Sequence, residues 1–262
     1  MKNQYFADTR DLFKYDLVLE FLAEGGLSRF TFIPMLTKDE PGYGGGRTDY
    51  SKARAGTRRT QLAEFLTQCL RDGRRDIREL ERFVEDSPLT AGVDLAIYMR
   101  NGLFTHQTRG EYFDRIDRSL LERSVILLDP DIGLGVKSMV GREERYVTYE
   151  EVRLLFDRMD ERSILIVFQF IPRVSRRPYI SRIQAELSRR VARGGAAYWL
   201  SDNQIVLYVL AKGRQSGRLA GSVVHNYAER YGLLSGPREG RWPALRHAKS
   251  YAWWCICQPR LP

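Results

Sequence analysis

The 262-residue chain is 43% hydrophobic and 29% charged, which suits a buried core and excludes an intrinsically disordered chain. Its formal net charge is +9, and only seven of its 42 basic residues are lysine. Arginine's planar fork matches phosphate and carboxylate, so nucleic acid or a nucleotide is the expected partner, with a GC-rich codon bias as the bland alternative.

Residues 1–8 are polar and lack the apolar core of a signal peptide. Residues 11–23 place Leu12, Leu17, Val18, Phe21 and Leu22 near a 3.6-residue period, predicting a helix that Gly25-Gly26 ends. Residues 30–36 read as a strand. The Pro41-Gly42-Tyr43-Gly44-Gly45-Gly46 segment follows, a flexible loop without the spacing of a phosphate-cradling motif. Residues 60–70 and 76–84 read as helices with Arg-heavy polar faces, 93–99 as a strand and 112–121 as a helix.

The second half is clearer. Residues 124–128 form a short apolar run ending in Asp-Pro, the pattern of a buried parallel strand. Residues 148–159 predict an amphipathic helix capped by Thr148 with Glu151 three residues on. Residues 163–170 read as a second buried strand and 179–192 as a helix. Residues 196–200 and 204–211 form a hairpin about Asp202-Asn203, 219–231 a helix, and 251–257 a late strand.

This alternation predicts an α/β, Rossmann-like, mostly parallel sheet with helices on both faces and an antiparallel hairpin near its end. The expected organisation is one domain over residues 1–234, with an Arg-rich helical insertion at about 47–90, and a C-terminal extension over 235–262. Three cysteines, Cys69, Cys255 and Cys257, give no disulfide framework and suit a reducing cytosol. The longest apolar stretch, residues 163–171, is far short of the ~20 residues a membrane span needs. A cytoplasmic location without a membrane partner is therefore expected.

In an open parallel sheet, ligands bind beyond the carboxyl ends of the strands. Asp129-Pro130-Asp131 leaves its strand at that edge, followed by Gly133 and Gly135. Two carboxylates one residue apart suit acid–base work or a hard cation such as Mg²⁺, whereas the bland reading is an Asx turn that stops the strand. Gln169, Pro172, Arg173, Arg176 and Arg177 follow the next strand and would face Asp129 across a crevice as substrate-binding groups, or simply be solvated. Tyr251, Trp253, Cys255 and Cys257 alternate along the late strand, so packing is favoured over a metal site with His247. His106 and His225 have no partner triad, and no Gly-x-Ser-x-Gly elbow occurs.

Asn3-Gln4-Tyr5-Phe6-Ala7-Asp8 with Asp11, Lys14 and Tyr15, then Asp129-Pro130-Asp131-x-Gly133, Tyr146-Val147 and Phe168-Gln169-x-x-Pro172-Arg173, resembles an uncharacterised bacterial family. The match runs in patches over about the first 190 residues. More distantly, the layout resembles class I S-adenosylmethionine-dependent methyltransferases of the ribosomal RNA adenine-N6 type. Asp11-Leu12-Phe13-Lys14-Tyr15 approximates their Asp-x-x-Lys-His segment, and Asp129-Pro130-Asp131-Ile132 stands where they carry Asp-Pro-Pro-Tyr. That resemblance implies S-adenosylmethionine as cofactor, held by Asp11, Lys14, Pro130 and Gly133, with Asp129 and Asp131 as catalytic groups. The second proline and the aromatic are replaced, no Gly-x-Gly follows residues 30–36, and one strand expected between Leu36 and Val93 is not visible.

Residues 125–133 also resemble the Asp-x-Asp strand end of toprim nucleases and primases, which implies Mg²⁺ on Asp129 and Asp131 and an upstream Glu, for which Glu85 is nearest. The expected function is thus a methyltransferase-like protein acting on nucleic acid or a nucleotide. The alternatives are a Mg²⁺-dependent nuclease or nucleotide phosphodiester enzyme, and a non-catalytic nucleic-acid-binding or defence-associated module.

Overall fold

The computed structural model describes residues 1–41, 46–135 and 140–237. The expected late strand, with His247, Cys255 and Cys257, and most of the 42–46 loop lie outside the described residues. The elements run α1 (Thr9–Gly25), β1 (Arg29–Ile33), α2 (Thr60–Arg71), α3 (Glu79–Asp86), β2 (Asp94–Ile97), α4 (Arg109–Asp114) and β3 (Ser124–Leu128). Then follow the two-residue strands β4 (Gly133–Leu134) and β5 (Tyr146–Val147), and α5 (Tyr149–Arg158), β6 (Ile164–Phe170) and α6 (Arg176–Arg190). The hairpin β7 (Ala196–Ser201) and β8 (Ile205–Ala211), α7 (Arg214–Tyr231) and β9 (Leu234–Gly236) complete the described chain.

Seven strands form one sheet in the order β2-β1-β3-β6-β8-β7-β9. β1 pairs in parallel with both β2 and β3, and β3 with β6. β8 lies antiparallel between β6 and β7, and β9 pairs antiparallel with β7. The fold is therefore α/β and Rossmann-like, mostly parallel, with its antiparallel part at one side. From β1 the chain steps outward to β2, then crosses back over β1 to begin β3. The strand order thus reverses between β1 and β3, and the crevice at their carboxyl ends is where such a sheet receives ligands.

The central strands are apolar throughout because both faces of the sheet are covered. Phe30, Phe32, Val125, Leu127, Ile164 and Ile166 pack under α1, α2, α3 and α7. Their neighbours Ile126, Leu128, Leu165 and Val167 pack on the other face with Tyr112, Phe113, Val152, Phe156, Ile180 and Leu187. The Arg-rich helices α2 and α3 thus lie over the sheet's α1 face. Much of the charge in and between them is paired locally: in the connection Arg74 with Asp72 and Glu79 and Arg78 with Asp76, and within α3 Arg82 with Glu79.

Two elements of the first half end differently from the sequence reading. β1 stops at Ile33 rather than Leu36, because Pro34 cannot donate to the ladder and Met35 turns to φ 41°. The helix expected over residues 112–121 is a short α4 followed by a separate 3₁₀ turn at Arg118–Leu121 that Asp117 caps. Among the described residues, the crossover from β1 to β2 carries helices and no further strand.

The start of α5 is fixed by a reciprocal cap. Thr148 Oγ1 accepts from the Glu151 amide at 3.2 Å, and Glu151 Oε2 accepts from the Thr148 amide at 2.7 Å. Glu151 also takes a two-pronged contact from Arg109 of α4, at 2.6 and 2.9 Å. Thr148→Ala should cost about 1 kcal/mol in urea denaturation, and Glu151→Ala more, because it also strands Arg109. Equal losses, or none, would show that this corner does not fasten α4 to α5.

Candidate functional site

The β1–β3 ladder continues one step past the strands, with the Asp129 amide donating to the Ile33 carbonyl at 2.9 Å. Asp129 therefore emerges at the point where strand order reverses. Residue 1 lies across the same point, its nitrogen donating to the Met35 carbonyl at 3.0 Å and the Asp129 carbonyl at 3.3 Å. A cavity of about 40 Å³ sits there, lined by Met1, Lys2, Tyr5, Asp8, Arg10, Asp11, Lys14, Asp129, Pro130, Asp131 and Phe168.

Its centre is the Lys14 ammonium. Lys14 Nζ lies 2.6 Å from Asp11 Oδ1 and 2.6 Å from Asp129 Oδ2, with all three side chains almost wholly buried. The Phe168 ring centroid is 5.0 Å from the same nitrogen. Burial opposes the charge on Lys14, but the two carboxylates outweigh it and hold its pKa above the ordinary value. Burial, reinforced by Asp8 and Asp129 and opposed by Lys14, pushes Asp11 up to about 7. Burial raises Asp8 as well.

The local chain explains how these acids converge. Asp8 caps α1 by accepting from the amides of Arg10 and Asp11, at 2.8 and 3.0 Å. Asp11, in the first turn, takes the Ala7 amide on its other oxygen at 2.9 Å. Ala7 has φ 66° and Met35 φ 41°, conformations that ordinary residues rarely hold unless their surroundings enforce them. Both are fully buried beside the cluster. The Tyr15 hydroxyl is buried with no hydrogen-bond partner, and burial followed by Asp11 and Asp129 drives its pKa well above the ordinary value.

Asp131 faces a different set of cations. Arg145 Nε reaches its Oδ2 at 2.5 Å and Lys2 Nζ at 3.8 Å, while Lys2 also pairs with Glu40 at 3.2 Å. Arg145 is delivered by the small β4–β5 pairing, in which the Ile132 amide donates to the Arg145 carbonyl at 2.9 Å. Asp129 and Asp131 are therefore paired with different side-chain cations, while the residue 1 ammonium feels both carboxylates. Among the described residues no group of three or more His, Cys, Asp or Glu is placed to hold a metal ion, and Glu85 lies within α3 rather than at a strand end.

Of the residues singled out from sequence, Asp11, Lys14, Asp129, Pro130 and Asp131 meet at this cavity. Gly133 and Gln169 do not line it but pack against each other just past the turn. Gly133 has φ 139°, and a Cβ there would overlap the Gln169 amide, so the group this glycine admits is a side chain of the same chain. Gln169 is 1% exposed; its Oε1 accepts from the Leu134 amide at 2.7 Å, and its Nε2 donates to the Phe170 carbonyl and the Tyr179 hydroxyl. Arg173 is exposed on the segment leading into α6 and Arg177 in the helix's first turn, where Arg176 is tied to Asn203. Met1, Lys2, Arg10 and Arg145 were not singled out; two-residue strands carry no periodicity that would have announced Arg145.

The fold and the site define an α/β Rossmann-like protein with a lysine-bridged pair of carboxylates at its switch point. No family model, curated protein or solved structure matches the chain. Among the described residues no helix is long and apolar enough to cross a membrane.

Two tests follow from the cluster. Lys14→Met leaves two buried carboxylates facing each other and should cost about 3–5 kcal/mol in denaturant unfolding; a loss below 1 kcal/mol would mean that the pair relaxes into solvent. Asp11 binds its proton more tightly in the native state than in the unfolded chain, where the ordinary value is 3.8. Its contribution therefore favours folding at low pH and is lost as pH rises from about 4 to about 7. Wild type should lose stability relative to Asp11→Asn between pH 5 and pH 8, and a constant difference across that window would refute the elevated pKa.

Proposed function

We propose that the chain is a methyltransferase-like enzyme acting on nucleic acid or a nucleotide, with Asp129 as its acting carboxylate. The observation that carries this reading is the position of Asp129, first past β3 in the crevice where strand order reverses and bonded to a buried ammonium. The antiparallel β8 between β6 and β7 supports it, since a closing hairpin belongs to the methyltransferase layout that the sequence resembles.

Asp129 has no donor role while Lys14 holds it, so its chemistry is to accept a hydrogen bond or proton from an amino or hydroxyl nucleophile. Lys14 orients it, and Asp11 keeps Lys14 in place. Asp131, held by Arg145, shapes the turn from the other side.

The cavity does not fit S-adenosylmethionine as it stands. About 40 Å³ admits a water or two, whereas sites for small-molecule cofactors run to about 300–1,000 Å³. Binding of the cofactor therefore requires the segment around Met1, Lys2 and Tyr5 to move aside.

Calorimetric titration with S-adenosylmethionine, and separately with Mg²⁺, tests the reading. The expected result is binding of the cofactor without metal, with methyl incorporation into nucleic acid or nucleotide that Asp129→Asn reduces about 100-fold or more while thermal unfolding stays cooperative. Metal binding without the cofactor would replace the proposal with phosphodiester chemistry, and binding of neither would leave a module that keeps only the fold.

A further inference from the structure

Phe170, the last residue of β6, is the one phenylalanine, tyrosine or tryptophan among the described residues that is exposed, at 37%. Its position is fixed: the Phe170 amide donates to the Ile132 carbonyl at 2.8 Å, which seats it directly beside the Asp129-Pro130-Asp131 turn. The Arg10 guanidinium lies 5.2 Å from the ring centroid. Arg10 also lines the cavity that holds Asp129, and its Nε is buried without a hydrogen-bond partner. The same guanidinium pairs with Asp8 through Nη1 at 3.5 Å, which holds Arg10 in place behind the ring.

The segment that follows adds charge. Arg173 and Arg177 are exposed and, among the described residues, make no ion pair or side-chain hydrogen bond, and Val174 between them is 54% exposed. This contrasts with the connection between α2 and α3, where Arg74 and Arg78 are answered by nearby carboxylates, as is Arg82 within α3. A flat aromatic face backed by a guanidinium, with free cations one turn away, is the recognition chemistry of a base and its flanking phosphates. Stacking on an open ring needs an unpaired base, because in a duplex both faces of each base are already covered.

We propose that Phe170, backed by Arg10, is a stacking platform for an unpaired base of a single-stranded nucleic acid, with Arg173 and Arg177 taking the adjoining phosphates. The platform presents the base beside Asp129, so the inference rests on the reading of Asp129 given above and names its substrate class.

The experiment is fluorescence titration of the full chain with a 12-nucleotide single strand carrying 2-aminopurine, alongside the same sequence as a duplex. Single-strand binding is expected to quench 2-aminopurine and to be at least tenfold tighter than duplex binding. Phe170→Ala should weaken it roughly tenfold or more and abolish the quenching, while Phe170→Trp retains both. Arg173→Ala with Arg177→Ala should weaken binding and flatten its salt dependence without removing the quenching. Equal affinity of Phe170→Ala and wild type, equal affinity for duplex and single strand, or no binding of either oligonucleotide would overturn the platform. None of these outcomes depends on the S-adenosylmethionine titration, so failure of the platform and failure of the methyltransferase reading are distinguishable. Thermal unfolding of each variant checks that its fold is intact.

Discussion

A single buried ammonium joins the first helix to the centre of the sheet. Lys14 reaches across from α1 to Asp129 at the end of β3 while holding Asp11 one turn back on its own helix. Taking three charged groups out of water is expensive, and their mutual attraction offsets that only when geometry and hydrogen bonding are complete. The chain meets the condition on most sides: Ala7 occupies the second oxygen of Asp11, Asp8 caps the helix above, and Phe168 closes the space beside the ammonium. Several features that look unrelated, among them the left-handed Ala7 and Met35 and the buried Tyr15, gather around this demand. An apolar trio of the same volume would pack without it, so retaining three charges here favours a chemical use over a purely structural one.

The same reasoning redistributes the positive charge of the sequence. Arg59 is spent on buried Asp16 and Glu20, Arg230 on Glu20, Arg109 on Glu151 and Arg145 on Asp131. These arginines are neutralised by carboxylates of the fold, so the count of 42 basic residues overstates the cations free to meet a polyanion, while the net +9 already includes that cancellation. Arg173 and Arg177, unpaired among the described residues, stand apart from these, whereas α2 and α3 themselves carry one arginine each, Arg71 and Arg82.

Legibility from sequence followed the range of the interactions. β3 was read to the residue, because five apolar side chains end abruptly at Asp129. The α5 cap was read because its two members are three residues apart. α6 begins at Arg176, ahead of the expected residue 179, because Arg176, Arg177 and Pro178 add no apolar period, although proline is tolerated in a first turn. The roles of Gln169 and Gly133 were hidden for a different reason. Each looks like a ligand group when considered alone, and only their contact across 36 positions shows that the amide fills the space the glycine leaves. Lys14 and Asp129 are 115 positions apart, so their pairing could be placed only by the fold.

The closed crevice sets an order of events for any ligand. The outer contacts, Lys2 with Glu40 and Arg145 with Glu40, involve a carboxylate that is 40% exposed, and pairs of that kind contribute little. The inner contacts to Lys14 are buried on every side, and breaking one leaves an uncompensated charge. The Glu40 contacts are therefore the first to give way, whereas Arg145 on Asp131 and Lys14 on Asp129 hold carboxylates that are 4% and 1% exposed and give way last. Asp129 thus stays held by the ammonium, which makes Lys14 the fixed reference of the crevice.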